Sequence, residues 1–182
     1  MSVFRPEYEA ALQLFAKVSE AMKAKGLNAP VLVGGDAVEL YSGSAVTTGD
    51  FDIVTPCQSE FEMLLQEHGF VRPSGPGMAT RGWIHPELGL GFEIVGANVL
   101  DGNSDAARFK LINTGEDGNA QVISVEDIIA DRMGQFASGN APEMREQARK
   151  LFALYPDADK VYMEKRIRQE TEGEYGVEDL EE

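Results

Sequence analysis

The sequence predicts an α+β domain built on a mixed sheet, and three observations predict it. Short apolar runs bounded by Gly, Pro or Asp alternate with helical periodicity up to about residue 123, and from Ser124 onward the pattern is helical only. No internal repeat or break in composition divides the 182 residues, and a chain of this length with 43% apolar residues buries a core without disulfides. The expected organisation is an α/β core over 1–123, a helical part over 124–172 packed on the same domain, and an acidic tail over 173–182.

Each element has its own signal. Pro6 suits a first helical turn, and Tyr8, Ala11, Leu12, Phe15, Val18 and Met22 recur at helical spacing until Gly26 stops the pattern. Val31, Leu32 and Val33 form a short strand running into Gly34 and Gly35, after which 36–41 read as a helix with Asp36 as its cap. Phe51 to Val54 form a second strand closed by Pro56, and Ser59 is expected to cap a helix with Phe61, Leu64 and Leu65 on its apolar face. Residues 80–85 and 90–95 read as an antiparallel hairpin across Pro86 to Gly89. Weaker strands are expected at 108–112 and 121–123. Ser124 with Asp127 forms a capping-box signature, and helices are expected from there, with Ile128, Ile129, Met133 and Phe136 on one face, over 142–154 and over 157–170. The glutamates gathered after Glu170 read as a fraying, solvated end.

Composition narrows the function classes. The first ten residues carry Arg5, Glu7 and Glu9 and no apolar run, and nowhere do 18 apolar residues follow one another, so neither a secretory signal nor a membrane span is expected and the chain reads as cytoplasmic. Thirty-one acidic against sixteen basic residues give a net charge of -15, which opposes attraction to polynucleotides, and no DNA partner is expected. The basic residues of the late helices, Arg145, Arg149, Lys150, Lys165, Arg166 and Arg168, are the one local patch that would favour an RNA end. Cys57 is the sole cysteine, which rules out an internal disulfide, and His68 and His85 lack the spacing of a zinc site.

Three acids remain with a pattern that carries chemistry. In a strand, residues two apart share a face, so Asp50 and Asp52 leave the sheet together while Phe51 and Ile53 point inward, and the same period sets Glu93 opposite Phe92 and Ile94. If the two strands are neighbours, the three carboxylates converge. Two carboxylates about 4 Å apart repel by roughly 4 kcal/mol at an effective dielectric of 20, which favours a shared proton or a bound cation. Hard oxygen donors suit Mg²⁺ or Mn²⁺. Gly34 and Gly35 precede a helix, where backbone N–H groups and the helix dipole favour phosphate.

Taken together, Val33-Gly34-Gly35-Asp36-Ala37, Thr48-Gly49-Asp50-Phe51-Asp52-Ile53 and Gly91-Phe92-Glu93-Ile94 resemble the polymerase-beta-like nucleotidyltransferase superfamily, nearest its minimal bacterial members related to abortive-infection toxins. The resemblance covers roughly residues 30–95. It implies that Asp50, Asp52 and Glu93 hold catalytic Mg²⁺ or Mn²⁺, that Gly34, Gly35 and Thr48 contact the phosphates of a nucleoside triphosphate, and that a nucleoside monophosphate passes to the hydroxyl of a small molecule, a protein or an RNA end. The sequence departs from the pattern at Val46, where many relatives carry arginine, and no basic residue lies between Ala29 and Arg72. Arg81, Arg108, Lys110 and Arg132 are the candidates to meet the triphosphate charge, and Trp83 to stack a base. The departure leaves a second expectation, a catalytically silent module serving as a toxin-antitoxin or regulatory protein-binding component, and a third, hydrolysis of a phosphate ester by the same acids.

Overall fold

The computed structural model describes residues 3–47, 49–74 and 82–181. Pro6 opens helix α1 (Pro6–Ala24), where its missing N–H has no partner to lose; Glu7 and Glu9 lie at the positive end of the helix dipole and Lys23 at the negative end. The stripe from Tyr8 to Met22 is buried along its whole length. After a turn at Gly26 come strand β1 (Val31–Val33), helix α2 (Gly34–Ser42), strand β2 (Asp50–Val54) and helix α3 (Gln58–Glu67). The expected hairpin follows as β3 (Trp83–Ile84) and β4 (Gly91–Gly96), antiparallel, with Trp83 opposite Phe92. Thr80 and Arg81, assigned to its first arm, lie outside the described residues. Strands β5 (Lys110–Asn113) and β6 (Asn119–Val122) complete the sheet, and α4 (Val125–Ala137), α5 (Glu143–Leu154) and α6 (Lys160–Glu170) form the helical part.

The sheet is mixed, in the order β3-β4-β2-β1-β6-β5. β1 runs antiparallel to β2 and parallel to β6, and β2 runs parallel to β4, so the strands that carry the acids are neighbours. Behind them, on the opposite face, Phe51 and Phe92 stack with ring centroids 5.0 Å apart, Phe70 lies 4.5 Å from Phe92, and Tyr8 lies 5.1 Å from Phe51. Such pairs each add about 0.5–1.5 kcal/mol beyond the burial of their area. This aromatic layer fixes the two strands on which Asp50, Asp52 and Glu93 ride.

Several boundaries depart from the sequence reading. Helix α2 begins at Gly34, so Asp36 lies inside its first turn, and no side chain caps it. Cys57, not Ser59, occupies the N-cap position of α3. Arg108 ends a short 3-10 turn before β5, because the Asp105 carboxylate accepts the Ala107 N–H there and starts a turn where a strand was expected. Helix α6 starts at Lys160, where the Asp159 side chain accepts the Tyr162 N–H at 3.0 Å. Ser124 caps α4, accepting the Asp127 N–H at 3.1 Å, but the Asp127 carboxylate takes the Ser124 hydroxyl rather than a backbone N–H.

The acidic end does not fray. Val177–Leu180 form a 3-10 turn with Leu180 buried, held by the Glu164 carboxylate on the Val177 N–H, by Arg168 on Glu178 and by Arg145 on the Asp179 carbonyl. Two of its acids, Glu178 and Glu181, pair with Arg168 and Lys160 of α6. The same pairing removes much of the expected basic patch, since Arg166 is also buried between Asp127 and Glu170 and Lys150 donates to the Ala45 carbonyl. Among the described residues no helix is long and apolar enough to cross a membrane.

Candidate active site

The register of β2 with β4 sets Asp52 beside Glu93 and Asp50 beside Gly91. Phe51, Ile53 and Phe92 are wholly buried, while Asp50 and Glu93 are exposed and Asp52 is half-buried, so the three carboxylates share the face that the strand period assigned them. β1 ends at Val33, directly opposite Asp52, and α2 starts at the next residue. The start of that helix therefore faces the acids. The Gly35 N–H approaches the Asp52 Oδ2 at 3.4 Å, a long contact.

Gly34 and Gly91 are required by space. Gly34 has φ +65°, and a Cβ there would lie 2.0 Å from the Asp52 Oδ2. A Cβ on Gly91 would lie 2.6 Å from the Asp50 Oδ1, which accepts the Gly91 N–H at 2.9 Å. Gly91 belongs to the Gly91-Phe92-Glu93-Ile94 match, but its steric requirement was not read from sequence because it is set by a neighbour 41 residues away. Thr48 lies outside the described residues.

Burial pushes the Asp52 carboxyl above the usual carboxylate range; Glu93 and Asp50 add to that push, while the Gly35 N–H and the Arg132 guanidinium oppose it. Asp36, expected as a helix cap, is instead fully buried and accepts the Asp52 N–H at 2.8 Å through its Oδ1. Burial, then the charge of Asp52, raises the Asp36 carboxyl well above its ordinary range.

A groove of about 390 Å³ runs along this face from Gly34 and Asp52, past Val54, to Asn98, Leu100 and Asp101, with Asp131, Arg132 and Gln135 of α4 on its far side. Of the four cations proposed from sequence, Arg132 alone lines it. Its guanidinium donates to the Asp131 Oδ2 at 2.8 and 3.1 Å and to the Met144 Sδ at 3.2 Å. Arg108 is taken by Asp159 and lies over the Tyr162 ring, Lys110 sits on the edge strand β5, and Arg81 is not among the described residues. Trp83 is buried in β3 with the Arg72 guanidinium over its ring, an environment that leaves no face open to a base. At the groove's end Leu100, Asp101 and Gly102 have φ of +46°, +54° and +85°, so two side chains are held in a region most residues avoid.

The donors suit a hard divalent cation in kind: carboxylate oxygens on one face, one of them raised above the usual carboxylate range chiefly by burial. Among the described residues, no three His, Cys, Asp or Glu side chains are gathered closely enough to form a ready-made metal cage.

Three solved structures share this architecture. An antigenic nucleotidyltransferase-like protein from Paracoccidioides brasiliensis superposes with a TM-score of 0.61 at 14% identity, covering 96% of this chain and 92% of its own. The antibiotic-resistance factor ANT(2'')-Ia superposes in its solution structure with a TM-score of 0.54 at 16% identity, covering 88% and 90%, and in its crystal complex with adenylyl-2"-tobramycin with 0.56 at 16%, covering 90% and 98%. The chain has a nucleotidyltransferase-like fold. No family model matches the sequence, and no curated protein matches it either. In this nucleotidyltransferase-like fold the strand that ends at the Gly-Gly turn, the Asp-x-Asp strand and the Glu93 strand lie side by side within the sheet, and the groove between Gly34, Asp52 and α4 opens beside them.

Proposed function

We propose that this chain is a metal-dependent nucleotidyltransferase that moves a nucleoside monophosphate from a nucleoside triphosphate to an acceptor hydroxyl. The observation that carries the reading is the β2–β4 register, which sets Asp52 beside Glu93 with Asp50 on the same face, opposite the start of α2. Asp50, Asp52 and Glu93 would hold Mg²⁺ or Mn²⁺, which when bound neutralises the triphosphate and the departing pyrophosphate. The chain's own work is positioning. The N–H groups at Gly34 and Gly35 receive phosphate oxygens, with Thr48 adding a hydroxyl, and Arg132 exchanges Asp131 for the triphosphate and so takes the place of the arginine missing at Val46. The acceptor oxygen bonds to the α-phosphorus as the bond to the bridging oxygen breaks, pyrophosphate leaves, and Glu93, sharing a metal ion, would help the acceptor hydroxyl give up its proton.

The acceptor class rests on likeness alone. ANT(2'')-Ia, whose crystal complex holds adenylyl-2"-tobramycin, makes polyhydroxylated amines the first acceptors to test, and the motif order makes abortive-infection-type relatives, with protein or RNA acceptors, the second. Purified protein with Mg²⁺, each nucleoside triphosphate and an acceptor panel or cell extract is expected to release pyrophosphate, and Asp52→Ala to abolish release. Unchanged release by that variant would reject the assignment, and inorganic phosphate in place of pyrophosphate would indicate a hydrolase. The silent protein-binding module keeps one supporting observation, the pairing of Arg132 with Asp131. Calorimetry showing no triphosphate binding, with and without Mg²⁺, would favour it.

A further inference from the structure

β1 stops at Val33 because α2 starts at Gly34, so the Asp52 backbone sits at the last pair of the β1–β2 ladder. Its N–H is taken by a side chain: Asp36, in the first turn of α2, accepts it at 2.8 Å. Asp36 is itself anchored, since the buried Tyr8 hydroxyl donates to its carbonyl at 2.7 Å. The second carboxylate oxygen, Oδ2, is buried and has no hydrogen-bond partner among the described residues. An N–H that merely needed an acceptor could be served by a Ser or Asn side chain, without burying a charge-bearing group beside Asp52. A buried carboxyl with one vacant oxygen is a costly way to close a strand end, and costly arrangements of this kind cluster at functional sites.

We propose that Asp36 is a positioning residue for Asp52, its side chain standing in for the strand partner that β1 no longer supplies and so fixing where the Asp52 carboxylate leaves the sheet. This rests on the reading of Asp52 as a metal-holding carboxylate. Asp36 touches neither metal nor nucleotide. It acts through the backbone of the residue that does, as outer groups around metal ligands do, and removing such groups typically lowers metal affinity or activity by about 10–100-fold.

The test compares Asp36→Ala, Asp36→Asn and Asp52→Ala by circular dichroism, by Mn²⁺ titration followed with electron paramagnetic resonance, and by pyrophosphate release. Asp36→Ala is expected to fold, to bind Mn²⁺ about tenfold more weakly, and to lose kcat by about 10–100-fold with KM for the triphosphate changed less than about twofold. Asp36→Asn keeps the acceptor oxygen and is expected to recover kcat to within about fivefold of wild type. If Asp36→Ala lowers only the melting temperature and leaves Mn²⁺ affinity and kcat per folded molecule intact, Asp36 is structural and the proposal is overturned. If Asp36→Ala does not fold, Asp36→Asn decides alone: near-wild-type Mn²⁺ affinity supports the proposal and a loss as large as that of Asp52→Ala overturns it. Wild-type protein that binds no Mn²⁺, or Asp52→Ala that binds it normally, rejects the reading of the site itself and the proposal with it. Asp52→Ala losing Mn²⁺ while both Asp36 variants keep it rejects the positioning role alone.

Discussion

At the residue scale the site depends on atoms that are missing. Gly34 combines a positive φ with a side-chain volume already filled by the Asp52 carboxylate, so alanine there meets two obstacles at once. The conformational penalty alone is about 1–2 kcal/mol, and the Asp52 Oδ2 must also move. Gly34→Ala is expected to lower the urea midpoint and to reduce pyrophosphate release at least tenfold, measured on folded protein. Gly35, which is not among the glycines of positive φ, lacks the conformational half of that penalty, so Gly35→Ala is expected to lower the urea midpoint less than Gly34→Ala. Arg132 is a second single-residue test. It lines the groove, is 5% exposed and is already charge-paired, so Arg132→Met is expected to weaken triphosphate binding by about 1.5–3 kcal/mol in calorimetry while Arg132→Lys retains part of it.

At the element scale, helix caps and strand register show how much of the molecule was legible in advance. The period-2 alternation in residues 50–54 and 91–95 set the faces of both strands, and the structure keeps them. Their adjacency, which sets Asp52 beside Glu93 with Asp50 on the same face, needed the parallel pairing of β2 with β4, and no local pattern states which strands pair. Ser124 was readable as a cap because capping is local, whereas Asp36 was misread as one. Its side chain was claimed by a backbone N–H from another element, and that competition is invisible in one segment's sequence. The steric demand on Gly91 and the groove residues Asn98 and Asp101 were missed for the same reason, since they arise from neighbours distant in sequence. The cap offers its own prediction. Ser124→Ala removes both the Asp127 N–H acceptor and a donor to the buried Asp127 carboxylate, so a loss of about 1–2 kcal/mol is expected by urea denaturation.

At the scale of the whole molecule, the helical part is tied to the sheet by polar groups as well as by packing. Asp127 on α4 is fully buried and accepts from Arg166 at 2.7 Å, from Tyr162 at 3.0 Å, and from Ser104 at 2.9 Å, a residue of the loop after β4. Removing one member of a buried pair strands the other, so Arg166→Met is expected to cost about 3–5 kcal/mol in chemical denaturation, whereas joining it to Asp127→Leu should restore much of that loss. The double variant losing as much as the two single variants combined would show that the pair is not coupled. The same part also grips α2, the helix that opens at Gly34. The Tyr155 hydroxyl donates to the Tyr41 carbonyl, the Tyr41 hydroxyl donates to the Ile123 carbonyl, and Arg5 reaches Glu39 from the other end of the chain. These bonds make α2 a keystone, braced by segments that begin at residue 5 and end at residue 155. A protease cut in the stretch between α4 and α5 would part α2 from its Tyr155 brace while leaving Arg5 and Ile123 on the same fragment as the helix. Adding back the separately expressed C-terminal fragment should restore that one brace, a recovery read as a rise in the melting temperature of the N-terminal fragment on mixing.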